Sequence, residues 1–161
     1  MNHFSILILT IGAPGSGKST WVSSYKKSHP CAHVISSDEI RKELTGTEQC
    51  IDPSFSPKIH EEVRRRVKKI IDDPASYGGN NGLGPEIIVD STNCELEEWK
   101  AFYLLGATIR IAKIFDVIPE ECEKRIKLRD RKVPLTVIES KYDSFKKNQY
   151  SLPFFFNLIW N

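Results

Sequence analysis

Four apolar runs punctuate the chain: Phe4–Ile11, His33–Ser36, Glu86–Asp90 and Thr108–Phe115. They are rich in Ile and Val, and three are nearly continuous rather than alternating, which is the pattern of parallel strands covered on both faces. Helical patterns lie between them, over Lys18–Ser28, Asp38–Leu44 and Glu95–Leu105, and along a stretch where Ile59, Val63, Val67, Ile70 and Ile71 recur with Arg64, Arg65, Arg66, Lys68 and Lys69 elsewhere around the helix. After the fourth run, Pro119–Arg129 and Pro134–Lys147 each begin with a proline suited to a first helical turn. Strands alternating with helices predict βαβ units with right-handed crossovers. The expected fold is therefore α/β: three layers, with a central parallel sheet of about four to five strands and helices on both faces.

Composition narrows the class. The chain has 161 residues, 40% of them hydrophobic, with 23 basic against 21 acidic side chains. One domain is expected, spanning 1–150, and its core needs no disulfide or metal staple. No apolar run is long enough for a membrane span. Cys31, Cys50, Cys94 and Cys122 show neither C-x-x-C nor zinc spacing, so a reducing, cytoplasmic setting is expected. The segment Pro74–Pro85 is rich in glycine and reads as a flexible loop. The tail Ser151–Asn161 carries Phe154, Phe155, Phe156 and Trp160, too apolar to dangle in water. It should pack on the domain, or on a second copy as a homo-oligomer. Near-neutral overall charge hides a bias: Lys124–Lys147 holds nine basic and three acidic residues. Such a cluster attracts phosphate, although a solvated helix face would look the same.

Residues 12–19 read G-A-P-G-S-G-K-S, between a predicted strand and a predicted helix. Gly12, Gly15 and Gly17 permit a close backbone approach, and amides at a helix start form an anion cradle. The loop residues Gly12, Ala13, Pro14, Gly15, Ser16, Gly17, Lys18, Ser19 and Thr20 are thus expected to bind ATP. Lys18 supplies a charge for the outer phosphates, and Ser19 a hydroxyl for Mg²⁺. No N-K-x-D motif is present, which disfavours a GTPase, and no Glu follows Asp90 to activate water. Transfer onto an acceptor hydroxyl is therefore expected over hydrolysis.

Asp38 falls where the second strand ends and a helix begins, with Ser36 and Glu39 at capping-box spacing. Ligands of doubly wound sheets sit beyond the carboxyl ends of strands, so Asp38 should share a crevice with Lys18. A carboxylate there can take the proton of an attacking hydroxyl, and Arg41, on the same helix face, can hold an acceptor phosphate. A first-turn acid with a solvated arginine is the plainer alternative. Asp90 ends the third strand and is expected near the metal, or as a turn cap. Thr92 and Glu95 have capping-box spacing, so Thr92 reads as a cap, while Asn93 is left open. Arg125 and Arg129 share one helix face, with Arg131 beyond, and the region 125–134 reads as a lid whose arginines neutralise transferring phosphate.

Assembled in this order, G-A-P-G-S-G-K-S-T-W, V-I-S-S-D-E-I-R, I-I-V-D-S-T-N and I-F-D-V-I-P-E-E-C-E-K-R-I-K-L-R-D-R-K-V-P resemble the 5′-hydroxyl polynucleotide kinases of phage and bacterial nucleic-acid repair, over about Ile6 to Lys147. The resemblance implies Lys18 and Ser19 on phosphates and Mg²⁺, Asp38 as general base, Arg41 on the acceptor phosphate, and Arg129 with Arg125 in the lid. It implies transfer of the ATP γ-phosphate to a 5′-OH end of RNA or DNA. Asp90-Ser91-Thr92-Asn93 matches the D-A-T-N of the bacterial enzymes better than the phage D-T-N. Kinases of sugars, nucleosides or antibiotics belong to the same branch and form the alternative, with a non-catalytic nucleotide-binding module as the second.

Overall fold

A computed structural model describes residues 4–48, 53–78, 84–129 and 132–161. The elements follow in the order β1 (Ile6–Ile11), α1 (Lys18–Ser28), β2 (His33–Ser36), α2 (Ser37–Thr45), α3 (Ser56–Asp72), β3 (Glu86–Asp90), α4 (Leu96–Tyr103), β4 (Ile109–Ile114), α5 (Pro119–Lys127), α6 (Leu135–Asn148), α7 (Leu152–Phe155) and β5 (Leu158–Trp160). All five strands are parallel in one sheet, in the order β2-β3-β1-β4-β5. The expected α/β architecture is what forms, because β1 and β3 are buried on both faces and only flanking helices can cover them.

β1 shows how the layers divide. Leu7, Leu9 and Ile11 point into a core shared with Val63 and Val67 of α3, Trp99 and Phe102 of α4, and Phe145 of α6. Ile8 points the other way, against Val22 of α1 and Ile88 of β3. The period-two alternation of side chains thus delivers each neighbour to an opposite helical layer. A third cluster of Ala13, Cys122, Ile126 and Ile138 ties the turn after β1 to α5 and α6.

The aromatic tail enters the sheet. Leu152 and Phe156 are buried, and β5 pairs with β4 through Ile111↔Leu158 to Lys113↔Trp160. The outer strand stays open: Leu158, Ile159 and Trp160 are 57%, 43% and 41% exposed. Of the glycine-rich segment 74–85, residues 79–83 lie outside the described ones, as does Arg131 of the lid. One expectation fails locally. Thr92 does not cap α4; Glu95 does, with Glu98 returning a carboxylate to the Glu95 amide at 3.0 Å. The box lies three residues further on, after Asn93, whose φ of 45 is a left-handed turn of the chain. No described helix is long and apolar enough to cross a membrane.

Candidate functional site

The turn after β1 is held from both sides. Thr10 Oγ1 donates to Val89 O and Ser91 O at 3.1 and 3.0 Å, and Asn93 Nδ2 donates to Thr10 O at 2.8 Å. Gly12 N donates to Thr92 O at 3.0 Å, and the Trp99 indole fixes Asn93 O at 2.7 Å. Asn93 is 2% exposed, so the position left open by sequence is a buried strut between two strand ends. Gly15 has φ +81, and a Cβ there would lie 2.6 Å from Cys122 O, so the loop abuts α5 too closely for any other residue.

Gly17 starts α1 with φ +102 and offers no side chain to cap it. The first-turn amides of α1 are therefore left for an incoming anion. Lys18 is buried at 8% exposure, its ammonium folded onto Gly12 O (2.9 Å), Ala13 O (2.7 Å) and Ser16 Oγ (3.3 Å). Burial lowers its pKa from the usual lysine value, with Asp90 and Asp38 among the groups pulling the other way. A cation desolvated among its own loop carbonyls has more to gain from a phosphate than one already in water.

Asp90 stands at the carboxyl end of β3. Burial raises its pKa, opposed by the Ser19 hydroxyl bonded to it and by Lys18, and reinforced by the nearby charges of Asp38 and Glu39. Ser19 and Asp90 thus bring two hard oxygens together. Among the described residues no group of three or more acidic, His or Cys side chains gathers to hold a metal. A two-oxygen set suits Mg²⁺, which keeps several of its waters, and does not suit an all-protein cage.

The residues expected to meet the acceptor come from the end of β2. Ser36 Oγ accepts from Glu39 N at 3.4 Å, so the predicted cap of α2 is present. Asp38 and Arg41 share a helix face as their spacing requires, and Arg41 Nη1 donates to Asp38 Oδ1. Arg129 Nη2 reaches Thr20 Oγ1 at 3.4 Å from the far end of α5. Arg125, one turn earlier, donates to Glu121 Oε1 at 2.9 Å and to Ser16 O at 3.4 Å, behind the loop.

These groups meet in one cavity of about 640 Å³ lined by Lys18, Ser19, Asp38, Arg41, Asp90 and Arg129. Pro14, Gly15 and Gly17 also line it, whereas Arg125 does not. Sequence reasoning assigned no site role to two further lining residues. His60 of α3 and Lys141 of α6 face the same space, backed by Glu98 (3.4 Å) and Glu95 (2.9 Å). Burial lowers the His60 pKa; Glu98 opposes this, and Lys141, Arg64 and Arg41 add to it. No motif marks His60, while Lys141 belongs to the basic run Lys124–Lys147, whose charge bias was its one signal.

Comparison with known proteins follows the same lines. The family model described as an AAA domain matches residues 7–152. Among solved structures, a chain of the Pnkp1/Rnl/Hen1 RNA repair complex superposes with a TM-score of 0.75 at 21% identity, covering 94% of this chain and 47% of that one. A gluconokinase from Sinorhizobium meliloti 1021 gives 0.62 at 13% identity, with 99% and 83% covered. A shikimate kinase from Bacteroides thetaiotaomicron gives 0.57 at 14%, with 97% and 86% covered. At these identities the likeness is one of fold, the P-loop kinase fold. The chain spans about half the length of the repair-complex chain that it matches.

Proposed function

The chain belongs to the AAA domain family, and from that premise we propose that it is an ATP-dependent kinase transferring the γ-phosphate of ATP to the 5′-hydroxyl end of RNA or DNA. The observation that carries this reading is the shared cavity, where the loop lysine and the Ser19–Asp90 oxygen pair face Asp38 and Arg41. The fold of the RNA repair-complex chain supports the choice of acceptor.

In this mechanism the loop amides and the start of α1 cradle the triphosphate, and Lys18 exchanges its loop carbonyls for phosphate oxygens. Ser19 and Asp90 would hold Mg²⁺, which supplies charge neutralisation to the phosphates. Asp38, oriented by Arg41, accepts the proton of the 5′-hydroxyl. The oxygen so freed bonds to the γ-phosphorus as the bond to the β-phosphate oxygen breaks, and ADP leaves. Arg41 faces the first acceptor phosphate, and Arg129 faces the charge that gathers on the transferring group. Arg125 supports the loop from behind through Ser16 O.

A small-molecule hydroxyl kinase is the second reading, since about 640 Å³ also suits a sugar or nucleoside acceptor. The deciding experiment is label transfer from γ-labelled ATP to 5′-OH RNA and DNA oligonucleotides beside a panel of sugars and nucleosides. Transfer to oligonucleotide ends is expected, falling about 10²- to 10⁴-fold in Asp38→Asn with ATP affinity retained. Transfer to a sugar or nucleoside alone selects the second reading, and full turnover in Asp38→Asn removes that residue from the base role.

A further inference from the structure

A second cavity, about 590 Å³, opens along β2, the outer strand at the other end of the sheet from β5. Lys26 of α1, His33 of β2, Arg65, Arg66 and Lys69 of α3, and Tyr77 line it. Three of the four full cations come from the basic run in α3, which the mechanism above leaves unused. Arg65 and Lys69 are one turn apart and exposed, and the α3 spacing puts them on one face with Arg66 close by. Among the described residues lining the groove, Glu39 is the one acidic side chain.

The remaining chemistry of the groove points to one kind of occupant. Arg65 and Arg66 are held in place by Glu62 at 2.6 and 2.8 Å, and Glu43 supports Arg66. Ion pairs at the solvent edge contribute little to stability, so phosphate can compete with Glu62 and Glu43 for the two guanidiniums. Lys26 donates to Pro30 O and Ala32 O, each at 2.6 Å, which fixes its ammonium at the mouth of the groove. His33 Nε2 donates to Tyr77 O at 2.8 Å, and the two rings meet edge to face at 5.4 Å. Four cations beside one tyrosine ring and one imidazole suit a strand that offers both phosphates and base faces. An acidic protein segment would use the cations and leave the rings without a role.

Position adds a second argument. Glu39 lines this groove while its neighbour Asp38 lines the catalytic cavity. The first turn of α2 thus borders both openings. We propose that the β2 groove is a track for the body of a single-stranded nucleic acid whose 5′ end lies at Asp38. The proposal deepens the polynucleotide reading and rests on it for the identity of the end, while binding along the track stands on its own charges. The chain would then prefer strands long enough to leave the catalytic cavity and reach Arg65 and Lys69.

The test is binding of 3′-fluorescein-labelled single-stranded oligonucleotides by anisotropy across a salt series, with kinetics on a long 5′-OH strand and on a dinucleotide. In Arg65→Gln/Lys69→Gln the long strand is expected to bind about tenfold more weakly, with a salt slope shallower by about 1.4 for two lost phosphate contacts. The KM for the dinucleotide should stay at the parent value, and the charge-keeping Arg65→Lys/Lys69→Arg should restore long-strand binding. Unchanged affinity and slope in the Gln variant overturn the track, as does an equal loss on the dinucleotide. Groove-dependent binding of polyglutamate without any of the oligonucleotide overturns it too. If the parent protein binds strands through the groove but transfers no phosphate to them, the kinase reading fails and the track survives.

Discussion

On the loop side of the cavity that holds Lys18, Gly12–Ser19 rises from a strand whose last five residues are buried, and Thr10, Asn93 and Trp99 lock its base with side-chain hydrogen bonds. On the α5 side, which the proposed function reads as a lid, Arg129 follows the helix, where Leu128 is 89% exposed and the contact to Thr20 is a long bond of 3.4 Å. Both walls present cations to the same space, but one is pre-set by the core and the other hangs from a solvated helix end. A cradle that is already ordered lowers the entropy cost of binding, whereas a loosely held arginine can tighten when charge develops. Ground-state affinity should therefore belong to the loop, and rate to the lid.

The largest effect should follow from Lys18→Met, with kcat/KM down on the order of 10³-fold, chiefly through lost nucleotide affinity. The same variant carries a pH signature. Burial lowers the Lys18 pKa in the folded chain, so the unfolded chain binds that proton more tightly and the parent gains stability as pH rises toward the usual lysine range. The melting temperature of the parent relative to Lys18→Met should thus move upward between neutral and alkaline pH; a difference that moves downward would show the charge to be favourably held. Next in size is Arg129→Gln, expected to lower kcat on the order of 10²-fold while leaving the melting temperature and the KM for ATP near parent values. A KM rise as large as the kcat loss would erase the distinction between the walls.

Asn93→Ala should act least on chemistry and most on the fold. It removes the donor to Thr10 O and places a Cβ residue without a polar side chain at φ 45, costing about 1–3 kcal/mol. Thermal denaturation should fall by about 2–4 °C per kcal/mol for a domain of this size. Unchanged stability would mean that the loop is not braced by β3.

Much of this molecule is readable in one dimension. β2 and β3 match their predicted ends, and β1 and β4 lie within two residues, because continuous Ile and Val runs have no amphipathic helical alternative. The loop and the α2 cap are legible for a related reason: the atoms that make them are neighbours in sequence. β5 is different. Its three residues become a strand by pairing with Ile111, Ala112 and Lys113, forty-odd positions away, and nothing local separates them from the preceding aromatic turn.

The sequence alone established the sheet class, the anion-binding turn and the pairing of Asp38 with Arg41, since strand burial, backbone turns and helix faces depend on residues a few positions apart. Only the folded chain decided that Asn93 is a strut and Glu95 a cap, that His60 and Lys141 line the same cavity as Lys18, and that the basic face of α3 shares a groove with His33 and Tyr77. Those outcomes depend on the order β2-β3-β1-β4-β5, which brings together side chains separated by tens of residues, and contacts at that separation leave no periodic trace along the chain.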